Sequence, residues 1–345
     1  MIGDHGAMPV PILPDDVSAH VFICTGFETL RAAIILIEKL DKAVPVFLLW
    51  FGGSDCPYPP QHGNVHVEEF PTSYRASLRV FHDVLDRYPP LRSGACAVYI
   101  PHIIHFAANF FARPGRYRRL ALLPDGMINY ADRRPSPSER VKSWAKAGLG
   151  LMQGVPYRPI WGLGHITGYD RLPYDLTYTF DEKGLISRCG QLIVLPRSAS
   201  GAIAAADPRV AVVLDQEISE LLDTAADASL RRGLIGYLTS RDFATVYYKA
   251  HPKGVSRHEE LVGALTTQVV ELPGAMPVED VVTELGAGEF VSFYSTGLVS
   301  LRQMTNARVT AVLPSNPPSK CAAFFRDVEG VFRERDISIH KVVMK

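Results

Sequence analysis

The 345-residue chain carries 36 Lys and Arg against 36 Asp and Glu, and 47% of it is hydrophobic. A balanced charge excludes a broadly basic nucleic-acid binder, and this much apolar material is enough for two domains of ordinary size, each with its own core. Five cysteines, odd in number, far apart and without a CxxC pair, exclude a disulfide scaffold or a zinc ribbon and point to a reducing, cytoplasmic setting.

Residues 1–17 are rich in proline and are expected to be a flexible N-terminus. No cleavable signal peptide is recognisable. No apolar run reaches the roughly 18 residues of a membrane span, so membrane contact, if any, is expected to be peripheral. From residue 19 buried strands alternate with helical patterns. Residues 19–24, 46–50, 65–70, 96–100 and 120–123 read as strands. Residues 30–40 read as a helix, with Ala33, Ile34, Ile37 and Leu40 at helical spacing. A second helix runs from a Ser73 cap to Tyr88 over the apolar face Leu78, Phe81, Val84, Leu85 and Tyr88. Cys24 and Cys96 sit in apolar surroundings and are expected in the core.

Residues 133–175 differ in character. Arg133, Arg134, Arg140, Lys142 and Lys146 stud a stretch rich in Ser, Pro and Gly, and residues 138–152 can form a helix with Glu139 in its first turn. A solvated surface helix, a lid, or a patch facing an anionic acceptor or a membrane all fit that pattern. Strand-like sequence returns at 174–180, and 195–208 has the small residues and flanking prolines of a linker. A second strand series follows at 210–214, 246–248, 268–272, 290–294 and 309–313, with helices at 216–224, 230–239 and 324–335. The expectation is an α/β chain of two parallel, doubly wound halves, 18–194 and 209–345, with a ligand cleft between them.

Three short motifs stand at strand tips, the edge at which open α/β sheets bind ligands. In Tyr248-Lys249-Ala250-His251-Pro252-Lys253-Gly254 the proline ends a strand, and an imidazole is presented between two lysines. That arrangement suits a departing phosphate; a plain loop histidine is the alternative. In Pro124-Asp125-Gly126 a carboxylate follows a strand and can accept a proton from a hydroxyl, or simply make an Asp-Gly turn. Ser295 and Thr296 open a helix through Met304, where two hydroxyls and free N–H groups can hold a phosphate, cap the helix, or do both. Glu279 stands just after a strand and a Pro-Gly turn, placed to accept from two ribose hydroxyls or to serve as a first-turn acid.

Several patterns are missing from the sequence. There is no Asp-x-Asp, no GxxxxGK[ST] and no HExxH, and the two GxGxxxG strings at 148–154 and 162–168 follow no clear strand. No metal ligand set is therefore expected. His102 and His105 lie close together without a third ligand and read as structural.

With these residues in place, the chain resembles the bacterial GT-B sialyltransferases and polysialyltransferases. Their Asp-Gly, His-Pro and Ser-Ser/Thr motifs recur in the same order as Asp125-Gly126, His251-Pro252 and Ser295-Thr296, and the gap from Glu279 to Ser295 is similar. Pro124 departs from the pattern by replacing an acidic residue, which leaves Asp125 as the candidate base. The resemblance implies two Rossmann-like domains whose parallel sheets face a central cleft. It also implies an inverting, metal-independent transfer of sialic acid from CMP-sialic acid to a glycan hydroxyl in bacterial surface glycan synthesis, with no cofactor and no nucleic-acid partner. Asp125 would be the base and His251 the acid. Ser295 and Thr296 would hold the phosphate with Lys253 nearby, Glu279 would bind the ribose, and Pro252 would pack near the cytosine. The competing readings are a GT-B transferase for another nucleotide sugar and a non-catalytic nucleotide-binding protein.

Overall fold

The computed structural model of the chain describes residues 16–53, 55–160, 162–197, 206–219, 221–251, 254–273 and 284–344. The chain divides into two compact units. The first comprises the residues up to Asp125 together with Arg134–Arg197; the second comprises Gly126–Arg133 and the residues from Ser198 onward.

The first unit is built on a seven-stranded sheet in the order β3-β2-β1-β4-β5-β6-β7. Its strands are β1 (Ala19–Cys24), β2 (Val46–Trp50), β3 (Val65–Glu69), β4 (Cys96–Ile100), β5 (Arg119–Leu122), β6 (Leu176–Thr179) and β7 (Gln191–Val194). Every pairing is parallel, so all the C-terminal tips share one edge. Both faces are covered, which is why the central strands read as largely apolar runs. β1 is buried throughout, and its residues alternate between two cores. Val21 and Ile23 pack with Leu78 and Phe81 of α2 (Tyr74–Arg87), whereas Phe22 and Cys24 pack with Leu30 and Leu36 of α1 (Phe27–Ile37).

The helix expected over 30–40 is α1, three residues earlier. Gly26 enters in an extended conformation, and the Thr29 hydroxyl accepts from the Thr25 and Gly26 amides at 3.2 and 3.1 Å, which fixes the first turn. At the far end Lys39 and Leu40 donate to carbonyls three residues back, so the last turn tightens and the helix closes. Ser73 does stand at the N-cap of α2, but its hydroxyl makes no cap bond. Two further α-helices lie in this unit. α3 (Phe106–Phe111) is buried along its whole length. α4 (Pro137–Met152) starts with a capping box in which Ser136 accepts from the Glu139 amide and Glu139 accepts from the Ser136 amide.

The second unit carries a six-stranded, all-parallel sheet in the order β10-β9-β8-β11-β12-β13. The strands are β8 (Asp207–Leu214), β9 (Thr245–Lys249), β10 (Gln268–Leu272), β11 (Ala287–Ser292), β12 (Arg308–Pro314) and β13 (Ser338–Val342). Helices α5 (Thr224–Thr239), α6 (His258–Ala264), α7 (Thr296–Met304) and α8 (Ala322–Arg333) connect them. β8 begins three residues before the expected Val210 and runs beside the start of β11. There the register shifts between Ala287 and Glu289, and a Cβ on Gly288 would stand 2.5 Å from the Asp207 carbonyl oxygen. Only glycine admits so close an approach of two strands.

The expected helix at 216–224 is a correction. No helix forms there among the described residues; α5 begins at Thr224, where Asp223 accepts from the Ala226 amide at 2.9 Å. The carbonyls that would propagate an earlier helix are taken by side chains. Gln216 O accepts from Arg231 Nη2 at 3.0 Å and Glu217 O from Tyr294 Oη at 3.0 Å.

Candidate active site

Two groups of predicted residues fall on the C-terminal edges of the two sheets. In the first unit, β4 and β5 pair with Ile100 opposite Leu122. Two residues beyond Ile100 comes His102, and three beyond Leu122 comes Asp125. Parallel register therefore brings side chains 23 positions apart in sequence to neighbouring strand tips, with His102 Nε2 3.5 Å from Asp125 Oδ2. Their side chains are 13% and 16% exposed, so both remain reachable from solvent while most of their surface is enclosed. Gly126 follows with φ +70°, a left-handed turn that carries the chain out of the first unit directly after the carboxylate.

The loop bearing His102 is anchored from below. The buried Asn109 amide donates to Ile103 O at 3.2 Å and to Arg158 O at 3.0 Å, while its oxygen accepts from the Arg158 amide at 2.7 Å. His105, at the N-cap of α3, packs its ring on Phe51 and Phe106 at 4.2 and 4.7 Å, a structural part of the kind expected. His102, read from the sequence as structural, is set by the fold beside Asp125. The available signal was its place two residues after a strand expected to neighbour the one leading to Asp125. Cys24, at the tip of β1, is fully buried; burial pushes its thiol well above the usual range, and the Cys56 thiol and the Asp125 carboxylate add to the effect. It stays a protonated core thiol.

In the second unit His251 stands two residues past β9 and Ser295 three past β11, with β8 between those strands. The tip of β8 carries Asp215, which is buried. Asp215 accepts from Tyr248 Oη at 2.6 Å, from Arg231 Nη1 at 2.7 Å and from the Gln216 amide at 2.7 Å. Arg231 also bonds Asp227 at 2.6 Å and lies over the Phe293 ring at 5.6 Å. One guanidinium on α5 thus gathers the tips of β8 and β11 and, through Asp215, that of β9, just where His251 and Ser295 emerge. Burial, then the bond to Asp215, raises the Tyr248 phenol far above its ordinary pKa and keeps it a donor.

Ser295 is the N-cap of α7, and its hydroxyl accepts from the Gly297 amide at 3.1 Å. Capping is therefore what it does in this structure. Thr296 is the first helical residue. Both are half-buried, and the helix start they share is the place where an anion is best received. Pro252, Lys253 and Glu279 lie outside the described residues. Among the described residues no group of three or more His, Cys, Asp or Glu side chains is arranged to hold a metal.

No protein-family model and no curated protein sequence matches the chain. Solved structures do. The α/β-galactoside α-2,3-sialyltransferase of the luminous marine bacterium Photobacterium phosphoreum superposes with a TM-score of 0.51 at 10% identity, over 93% of this chain and 98% of that one. The 2,6-sialyltransferase of Photobacterium sp. JT-ISH-224, in a ternary complex with the donor product CMP and the acceptor lactose, gives 0.52 at 11% identity, over 94% and 78%. The fold is GT-B. Both sheets, of seven and six parallel strands, belong to the Rossmann-like domains of that fold, and each carries one of the candidate groups on its C-terminal edge.

The hydroxyl pair makes a specific expectation. Ser295→Ala combined with Thr296→Ala removes contacts available to a phosphate but none to a base or ribose. If this helix start receives the phosphate of a nucleotide, affinity for the nucleotide should fall severalfold while affinity for its nucleoside stays near that of the native protein, as measured by titration calorimetry. Equal losses for the two ligands would place the phosphate elsewhere.

Proposed function

We propose that the chain is an inverting glycosyltransferase that moves sialic acid from CMP-sialic acid to a hydroxyl of a glycan acceptor. The observation that carries this reading is the placing of Asp125 with His102, and of His251 with Ser295 and Thr296, at strand tips of the two Rossmann-like sheets of a GT-B fold. The likeness to sialyltransferases supports the choice of donor, as do the order and spacing of the three motifs.

In this reading the acceptor oxygen attacks the anomeric carbon of the sugar. The bond from that carbon to the CMP phosphate breaks, and CMP leaves with the electron pair. Asp125 takes the proton of the attacking hydroxyl. The imidazole of His102 stands beside it, with Nε2 3.5 Å from Asp125 Oδ2. His251 neutralises or protonates the departing phosphate, which the start of α7 receives through Ser295, Thr296 and the helix dipole. Lys253 and Glu279 are proposed for the phosphate and the ribose, and Pro252 for packing against the cytosine. CMP carries one phosphate, so the charge set free on departure is smaller than for a diphosphate, and side chains with a helix end suffice to meet it. Displacement from the opposite face inverts the anomeric centre.

Thermal shift with nucleotides tests the donor assignment. CMP should raise the melting temperature and UDP should do so much less. At about 100 times its dissociation constant a ligand adds roughly 2.7 kcal/mol of stability. Equal shifts with CMP and UDP, or none with either, would sink the donor. Transfer from CMP-sialic acid to a panel of glycosides, followed by chromatography of released CMP and of product, tests the reaction itself. CMP binding with no transfer to any acceptor would favour a nucleotide-binding protein instead.

A further inference from the structure

Helix α4 has its polarity reversed. The side it turns inward is mostly small or polar, with Ala147 and Leu149 packed against the core. Ser143 is 1% exposed and accepts from the Ile160 amide, and Gly150 is buried where a Cβ would stand 2.4 Å from the Val155 carbonyl oxygen. Its solvent side carries the large apolar residues: Val141 at 64% exposure, Trp144 at 60%, Leu151 at 73% and Met152 at 81%. The spacing 141, 144, 151, 152, with Ala145 and Gly148 also exposed between them, is that of a single helical face. A soluble helix buries such a stripe, and a contiguous apolar face left in water marks a contact surface.

Charge says what the surface meets. Across 134–160 the chain has five cations, Arg134, Arg140, Lys142, Lys146 and Arg158, against one acid. That acid, Glu139, is occupied in the capping box. Arg134, Lys142 and Arg158 are exposed. Half-buried Lys146 lays its ammonium 5.5 Å from the centre of the Tyr74 ring. An apolar stripe that includes a tryptophan, beside the exposed Lys142 and in a segment of net positive charge, is the make-up of a helix lying in the plane of a negatively charged bilayer, with rings and aliphatic chains at the acyl boundary and cations at the headgroups. At 16 residues and about 1.5 Å per residue, α4 is roughly 24 Å long and lies flat; no described helix is long and apolar enough to cross a membrane.

We infer that the outer face of α4 docks the protein on an anionic lipid surface, with Val141, Trp144, Leu151 and Met152 entering the interface and Lys142 and its neighbouring cations meeting the headgroups. The capping box and the inward contacts of Ser143 and Gly150 fix the rotation of the helix, so the stripe is presented already formed. This does not depend on the donor assignment.

Vesicle co-sedimentation of the whole chain tests it, using phosphatidylcholine vesicles with and without phosphatidylglycerol. The native protein should pellet with the anionic vesicles and much less with the neutral ones. Trp144→Ser combined with Leu151→Ser should abolish pelleting. Lys142→Glu should weaken it about fivefold or more, the scale of one cation near a charged surface. These side chains point into solvent, so melting temperature and CMP response should match those of the native protein, which separates lost docking from lost folding. Intrinsic fluorescence should shift to the blue on vesicle addition and cease to do so in Trp144→Phe. Absence of anionic-vesicle binding, or pelleting unchanged in either variant, would overturn the inference. So would a dimer in vesicle-free buffer that Trp144→Ser with Leu151→Ser converts to monomer, because the stripe would then join two copies of the chain.

Discussion

Asp125→Asn should lower sialic acid transfer by about 10²- to 10⁴-fold while leaving CMP affinity close to the native value. The amide keeps the shape of the side chain and its place near His102, but it cannot take a proton, and general-base catalysis contributes on that scale. His251→Ala should behave differently. That residue is proposed to meet the phosphate of the leaving group, so both turnover and CMP affinity should fall. Measuring initial rates with saturating acceptor, and CMP binding by calorimetry, for both variants tells base from acid. Normal transfer by Asp125→Asn would remove the proposed mechanism and leave only a nucleotide-binding GT-B fold.

The second large effect concerns stability. Arg231→Met should cost about 3–5 kcal/mol, because it strands the buried carboxylates of Asp215 and Asp227 without their shared cation. All three side chains are almost wholly enclosed, so little water is at hand to compensate. The loss belongs to the second unit, which contains none of the three tryptophans, so hydrogen exchange at the amides of β8 and β9 is the suitable probe. A loss below about 1 kcal/mol, the range of an exposed pair, would show that the network contributes no more than a surface ion pair. CMP binding should weaken as well, because the same guanidinium gathers the strand tips from which His251 and Ser295 emerge.

The central strands were legible because a parallel sheet covered on both faces leaves an unmistakable trace. β2 and β4 are continuous apolar runs, β1 is broken only by His20 and β5 opens on Arg119 before its apolar run, and each is closed by Pro, Gly or Thr. Elements without contrast were not. α3 consists of six residues, Phe106–Phe111, all buried, so it has no polar face and no period to read. β7 and β13 are edge strands of four and five residues with partly exposed side chains, and only pairing with a neighbour makes them strands. The stretch from Gln216 to Asp223 has helical composition, yet Arg231 and Tyr294, distant in sequence, claim its carbonyls. His102 escaped for a related reason. Its meaning lies in its neighbour across the sheet, and a neighbour is known only once strand order and register are known. The places of Asp125, His251, Ser295 and Thr296 at strand ends were legible because the sequence marks where those strands stop.

The crossing of the chain at Asp125 bears on how this protein can be divided. The short piece Gly126–Arg133 is grouped with the second unit, where the Asp132 amide donates to Asp327 at 2.9 Å and the Tyr130 ring lies under the Arg335 guanidinium at 5.2 Å. A cut anywhere from 198 to 205 therefore does not yield two self-sufficient pieces. The C-terminal fragment would lack the partners of Asp327 and Arg335, and the N-terminal one would carry eight residues with nothing of their own to pack on. Exchange of whole domains between relatives, the simplest way to mix donor and acceptor specificities, would need a second junction on each side of this excursion. Inheritance as a single cassette is the arrangement that such interlaced connectivity favours.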